Sequence, residues 1–442
     1  MPQNKSVRTS TLALYGGPKA VPEIQTEALR WPRIDREELA LVNNLVRRGQ
    51  LSFSEYTQRL EHDFANFIDA KYTLACNNGT AAGHSCFFAV DIQPGDEVIC
   101  PSFTFWASIV QVLQLGGIPV FCDIDEKTLN LDPKDVERQV TRRTKAILVV
   151  HMLGMPADMD AILDIARRHK LRVIEDCSHA HGAAYRGKRV GTFGDASFFS
   201  FQTSKLLPAG EGGMFVTNRK SYYERAIALG HYERLTSISS RYSKYRHTCF
   251  GFKYRIHPVA AAIAYCQLKR LKETNARICS NMARFLKGLQ SLQLWNVPAI
   301  PQGIERVYYE NWLRWRPENA HGLSKELFML ALQAEGCVIM DARYEVLHQQ
   351  PIFREPSLYQ TGGIFPAFFS LPVKPLSRRP LPNSERIRQE LIHVPTFPGA
   401  KPELVDRYLN AFRKVEENLE ELSQNGTPKE VNRCHRSKGY NC

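Results

Sequence analysis

The sequence predicts an α/β protein, with a large domain on a mostly parallel sheet and a smaller α/β domain at its C-terminal side. Three observations carry this. Between Tyr72 and Leu229, short apolar strand patterns alternate with helical ones, as in a sheet covered by helices on both faces. The chain of 442 residues is longer than one core ordinarily organises. From about Pro258 the alternation gives way to long helical spacing and then to short, separate elements.

Taken in order, residues 1–33 form a Gly- and Pro-punctuated lead-in. Asp35–Arg48 spaces Leu39, Val42, Leu45 and Val46 as a helix does, and Ser54–Asp69 repeats the pattern with Leu60, Phe64, Phe67 and Ile68. Tyr72–Cys76 is a strand and Thr80–Val90 a helix of small and apolar residues, hence buried. Glu97–Cys100 is a strand, Thr104–Leu115 a helix, Pro119–Asp123 a strand and Pro133–Gln139 a helix. Ala146–His151, Arg172–Asp176, Ala196–Phe201 and Met214–Asn218 complete the strands, with helices at Met159–His169 and Ser221–Leu229. Pro258–Ala276 is helical and Asn281–Leu292 continues helically, placing a domain boundary near 280. The second domain, 281–422, reads as a strand at Val307–Trp315, a helix at Ser324–Glu335, a strand at Cys337–Met340 and a closing helix at Lys401–Leu422. The Pro-rich span Pro351–Pro382 reads as loops over the mouth of a site, and 423–442 has the polar, aperiodic composition of a disordered tail.

With 43% hydrophobic and 23% charged residues the chain falls in the soluble globular class. No apolar run reaches the length of a membrane span, and the N-terminus lacks a signal peptide's apolar core. Eleven cysteines are scattered without a CxxC pair, and Cys100, Cys122 and Cys177 fall in apolar strand patterns. Reduced, buried thiols are expected, with no disulfide framework and no metal site, in a cytoplasmic protein. The net charge of +13 is spread along the chain, with modest clusters at Arg138–Lys145 and Arg241–Arg255. A solvated basic surface or acidic small substrates account for it, so neither a nucleic-acid nor a membrane partner is expected.

The stretch Gly194–Gly213, GDASFFSFQTSKLLPAGEGG, runs from a strand through a polar turn that presents Lys205 to a glycine-rich segment. That placement suits an amine that forms and exchanges a Schiff base. Upstream, VIEDCSHAHGAA (Val173–Ala184) ends a buried strand on Asp176. One lysine and one buried carboxylate are the minimum kit for pyridoxal phosphate: the lysine holds the aldehyde and the carboxylate keeps the pyridine nitrogen protonated. In NNGTAA (Asn77–Ala82), Gly79 and Thr80 open a helix just after a strand, where free N–H groups and the helix dipole bind phosphate.

Together with PGDEVICPSFTFWAS (Pro94–Ser108), TKAILVVHMLGMPADMDAI (Thr144–Ile162) and the run Ile174–Asn218, these motifs resemble the DegT/DnrJ/EryC1/StrS aminotransferases. The resemblance is close over roughly residues 50–290. It implies a fold-type I, aspartate aminotransferase-like enzyme, a homodimer with shared sites that aminates keto-sugars or keto-cyclitols with nitrogen from L-glutamate or L-glutamine. It casts Lys205 and Asp176 as catalytic. His179 falls where relatives contact the cofactor's 3-oxygen, Ser200 where a serine reaches the phosphate, and Phe105 where an aromatic stacks on the ring. His181 is left structural.

The clearest departure is GFKYR (Gly251–Arg255). The family reads G-x-N-Y-R here, its asparagine reaching the partner's cofactor phosphate, whereas this chain has Lys253. An ammonium binds phosphate as a point charge, so the role survives with other geometry, passes to an acidic substrate, or is lost. Relatives with histidine in place of the lysine are sugar dehydratases; Lys205 argues for aminotransfer. Two alternatives stay open, a dehydrating or aromatising synthase like the aminohydroxybenzoate synthases and a non-catalytic regulator. Acceptor specificity is expected in Tyr232–Arg246 and Tyr308–Asp341.

Overall fold

The apolar runs between Tyr72 and Thr217 pair into one seven-stranded sheet in the computed structural model, which describes residues 10–23, 25–238, 241–248, 251–354 and 379–428. The strands lie in the order Tyr72–Cys76, Gly213–Thr217, Ala196–Ser200, Arg172–Asp176, Thr144–Val150, Glu97–Pro101, Ile118–Cys122. The last five are mutually parallel, and Gly213–Thr217 is antiparallel to both its neighbours. Helices on both faces explain why these strands are buried almost end to end and read as continuous apolar runs. The antiparallel exception fits its connection: the loop 201–212 between Ser200 and Gly213 contains no helix to carry a parallel crossover.

The helices form where their caps predict. Asp35 and Glu38 close a reciprocal capping box on Arg36–Arg47, Asn78 accepts from the Ala81 N–H at the start of Gly79–Ala89, and Ser324 accepts from Leu327 at the start of Lys325–Ala334. A second sheet, antiparallel throughout, has the order Trp295–Asn296, Asn311–Trp315, Leu391–Val394, Met340–Asp341.

The structure differs from the sequence expectation in several places. The helix expected over Thr104–Leu115 is a 3-10 turn at Trp106–Ser108 followed by a short helix at Val110–Gln114. The strand expected from Val307 pairs only from Asn311, because Val307 N–H is drawn away to the Gly154 carbonyl at 3.1 Å. The expected strand Cys337–Met340 reduces to Met340–Asp341. Pro258–Leu289 is one helix of 32 residues, so position 280 falls inside a continuous element. The closing helix is two, Pro402–Glu417 and Leu419–Asn425, the second taking up the first residues of the expected tail. Most of Pro351–Pro382 and the rest of the tail lie outside the described residues.

The lead-in is tied to the far end of the chain. The N–H groups of Ala13 and Ala20 donate to the Glu335 carboxylate, both at 2.9 Å, and Tyr15 donates its hydroxyl to the Gly426 carbonyl at 2.7 Å. Every described cysteine is free, and all but Cys279 are buried. Among the described residues no helix is long and apolar enough to cross a membrane.

Candidate active site

Parallel strands point their carboxyl ends to one side of the sheet, and ligands of such sheets bind there. Asp176 ends the central strand and is 4% exposed. Its carboxylate accepts from the Ser108 hydroxyl at 2.7 Å and from the Ser178 N–H at 2.9 Å. Both bonds fix the carboxylate in place.

Lys205 sits in the connection between Ala196–Ser200 and Gly213–Thr217. Bonds from Phe201 to Gly212 and from Thr203 to Gly210 zip the loop, and Lys205 N–H donates to the Gln202 carbonyl at 2.8 Å. Trp31 fixes the next peptide, its indole N–H reaching the Lys205 carbonyl at 3.1 Å. The residue is 8% exposed, and its ammonium lies 4.0 Å over the Tyr309 ring and makes no hydrogen bond or ion pair among the described residues. An amine on a largely buried stem with no acceptor of its own is open to a ligand.

At the third point of the site the chain passes itself too closely for side chains. A Cβ on Gly79 would lie 2.7 Å from that of Ser200, and one on Gly213 would lie 2.6 Å from the Asn78 carbonyl. Glycine at both positions lets the start of helix Gly79–Ala89 sit directly on the strand ends. It brings Gly79 and Ser200 together, with Thr80 next in the first turn, where an α-helix has no acceptor for its own N–H groups.

His179, three residues beyond Asp176, is stacked on Tyr309 with ring centroids 4.4 Å apart and more distantly on Tyr344. Its Nδ1 accepts from the Leu153 N–H at 3.3 Å, and the Tyr344 hydroxyl stands 3.4 Å from Nε2. Burial, then the positive charges of Lys205 and Arg343, push its pKa well below the usual histidine range, so the ring is neutral. His181 is fully buried against Phe199 and Phe201.

Phe105 is 43% exposed and so is no core anchor. Its ring lies 5.0 Å from Trp106 and 5.9 Å from Tyr344, at the open side of the site. Lys253 is exposed, 6.0 Å over the Tyr232 ring, and its carbonyl accepts from the Asn77 side chain at 3.4 Å. The structure therefore sets it beside the Gly79 turn of its own chain.

Sequence reasoning assigned no role to several groups that complete the constellation. Ser108 holds Asp176, and Ser204, next to Lys205, bonds the Tyr309 hydroxyl at 2.9 Å. Arg343 donates to the same hydroxyl at 2.7 Å and is ion-paired with Glu310. Tyr309 and Glu310 fall in the Tyr308–Asp341 segment expected to set specificity, but Arg343 and Tyr344 lie just past it. No local motif marks them.

The donor set fits pyridoxal phosphate. There is a buried carboxylate for a ring nitrogen, an unpaired buried amine for the aldehyde, a neutral histidine between aromatic rings, and a glycine-lined helix start for a phosphate.

The sequence model of the DegT/DnrJ/EryC1/StrS aminotransferase family matches residues 32–413. A Micromonospora echinospora protein, provisionally assigned as an L-glutamine:3-amino-2,3-dideoxy-scyllo-inosose aminotransferase, is 32% identical over 429 residues, covering 94% of this chain and 99% of its own. The GDP-perosamine synthase of Escherichia coli O157:H7 is 37% identical over 262 residues, covering 59% of this chain and 71% of its own. An aminotransferase structure from Psychrobacter cryohalolentis superposes with a TM-score of 0.79 at 27% identity, covering 88% of this chain and 99% of that one.

Proposed function

The chain belongs to the DegT/DnrJ/EryC1/StrS aminotransferase family, and on that premise we propose that it is a pyridoxal phosphate enzyme aminating a ketone on a nucleotide-linked sugar or a cyclitol. The donor in this reading is L-glutamine or L-glutamate, and the two substrates use the site in turn. The observation that carries the reading is the Lys205 ammonium, unpaired among the described residues on a largely buried side chain, at the same end of the sheet as the buried Asp176 carboxylate.

Pyridoxal phosphate, when bound, supplies an electron sink that stabilises negative charge on a substrate carbon. The residues do the rest. The N–H groups of Gly79 and Thr80 and the Ser200 hydroxyl hold the phosphate. Asp176, fixed by Ser108 and the Ser178 N–H, would hold a proton on the ring nitrogen. Neutral His179, with the Tyr344 hydroxyl 3.4 Å from its Nε2, would serve the 3-oxygen side, and Phe105 would cover the open side. Lys205 anchors the aldehyde and then, as a free amine, takes a proton from the substrate carbon and returns it. Tyr309 confines that amine to one direction, being tied by its hydroxyl to Ser204 and Arg343. In a homodimer, Lys253 extends this reading as a cation for the partner's phosphate site.

The test is the absorption spectrum of the purified protein with pyridoxal phosphate, before and after L-glutamine or L-glutamate, with Lys205→Ala alongside. Wild type shows the long-wavelength band of a lysine-linked cofactor, and the donor collapses it to the amine form. Lys205→Ala lacks that band and loses turnover by about 10⁴-fold. A wild-type band that no amino acid moves rejects aminotransfer in favour of other chemistry on the same cofactor.

A further inference from the structure

The amino donor is an α-amino acid, and its carboxylate needs a partner that places the α-nitrogen at the carbon served by Lys205. Guanidinium is suited to this, because its planar fork fixes a carboxylate in two directions at once. We propose that Arg343 is that partner and that Glu310 is the positioning residue that aims it, an inference resting on the aminotransfer reading above.

Four observations support the assignment. Arg343 reaches the Tyr309 hydroxyl at 2.7 Å, and the opposite part of Tyr309, its ring face, carries the Lys205 ammonium at 4.0 Å. One phenol thus spans the reacting amine and the guanidinium. The Arg343 bonds to Tyr309 and Glu310 both leave from Nη2, and the side chain is 54% exposed, so an edge of the fork is open to a ligand. Glu310 is itself held: its side chain is 10% exposed, and its second oxygen accepts from the Trp312 indole at 2.9 Å. It therefore acts as a fixed brace that orients the arginine. Finally, among the described residues two cations of the phosphate end have other neighbours. The Lys253 ammonium lies 6.0 Å over Tyr232, and Arg255 lies 3.7 Å from Glu233 and 4.6 Å over Phe53.

The experiment compares L-glutamine with 4-aminobutanamide, the same amine without the α-carboxylate, in the first half-reaction followed by the cofactor band. Wild type is expected to prefer L-glutamine strongly. Arg343→Gln is expected to raise the KM for L-glutamine about 10- to 100-fold, the loss of a charged hydrogen-bonded contact. It should affect 4-aminobutanamide far less, only through the loosened Tyr309, so that the preference collapses. Arg343→Lys should fall between, keeping the charge and losing the fork. Glu310→Gln should raise the L-glutamine KM with little change in kcat.

Retained preference in Arg343→Gln, or its absence in wild type, overturns the proposal. Equilibrium binding of unreactive α-methyl-L-glutamate, measured by calorimetry on the cofactor-loaded protein, covers any variant or wild type that does not turn over. Weaker binding in Arg343→Gln than in wild type supports the proposal, and equal binding overturns it. A wild type that binds this ligand through Arg343 but transfers nothing rejects aminotransfer alone.

Discussion

On one side of Lys205 lie groups from the seven-stranded sheet: Gly79, Asp176, His179 and Ser200, each at or a few residues past a strand end. On the other lie Tyr309, Glu310, Arg343 and Tyr344, from the approaches to two short strands of the second sheet. The first set is a buried floor, with Asp176 4% exposed, whereas Arg343 in the wall is 54% exposed. The floor is rigid because strands, an N-cap and two contact glycines all fix it. The wall hangs on side-chain contacts, among its own members and to Ser204 and His179. On the proposed function, floor residues serve chemistry common to every substrate, and wall residues decide which substrate enters.

That division can be broken. Asp176→Asn should lower kcat about 10³-fold with every donor and acceptor alike, as steady-state rates across a substrate panel would show. A loss confined to one substrate would erase the distinction between floor and wall. Tyr309→Phe keeps the ring beneath Lys205 and removes the hydroxyl shared by Ser204 and Arg343. It should cost about 10-fold in kcat/KM, unevenly between donor and acceptor; an even loss would move Tyr309 into the floor.

The smallest effect is on stability. His84, in the helix that opens on Gly79, is held by burial at a pKa of about 4, against about 6.5 in the unfolded chain. The unfolded chain binds a proton that the folded one refuses, so stability falls as pH drops from 6.5 toward 4. His84→Gln should flatten this part of the Tm-against-pH curve by about 2–4 °C. An unchanged slope would place the acid-sensitive element outside the floor.

The floor was legible in the sequence because its residues sit in local order. A strand pattern, a Gly-Thr helix start, an acid at a strand end and a lysine in a turn each announce themselves within a dozen residues. The burial of Lys205 and the pairing of Gly79 with Ser200 follow from sheet order and not from any one motif. Arg343 and Tyr344 were invisible for a related reason. Their neighbours Tyr309 and His179 are distant in sequence, and no periodicity marks residues that meet only when two sheets are packed together. The segment Thr104–Leu115 misled because its apolar spacing fits a helix, yet Phe105 and Trp106 are turned outward toward the site. Ser108, which ends that 3-10 turn, is thereby brought onto Asp176.

The tether between the lead-in and the far end of the chain also sets a schedule for biosynthesis. Ala13 bonds Glu335 across 322 positions, and Leu12 approaches Glu421 across 409. At about 5–20 residues per second on the ribosome, this segment waits tens of seconds for its partners to emerge. Trp31, which holds the Lys205 carbonyl, lies just beyond that segment and spans only 174 positions. The reactive amine is therefore braced well before the tether can close.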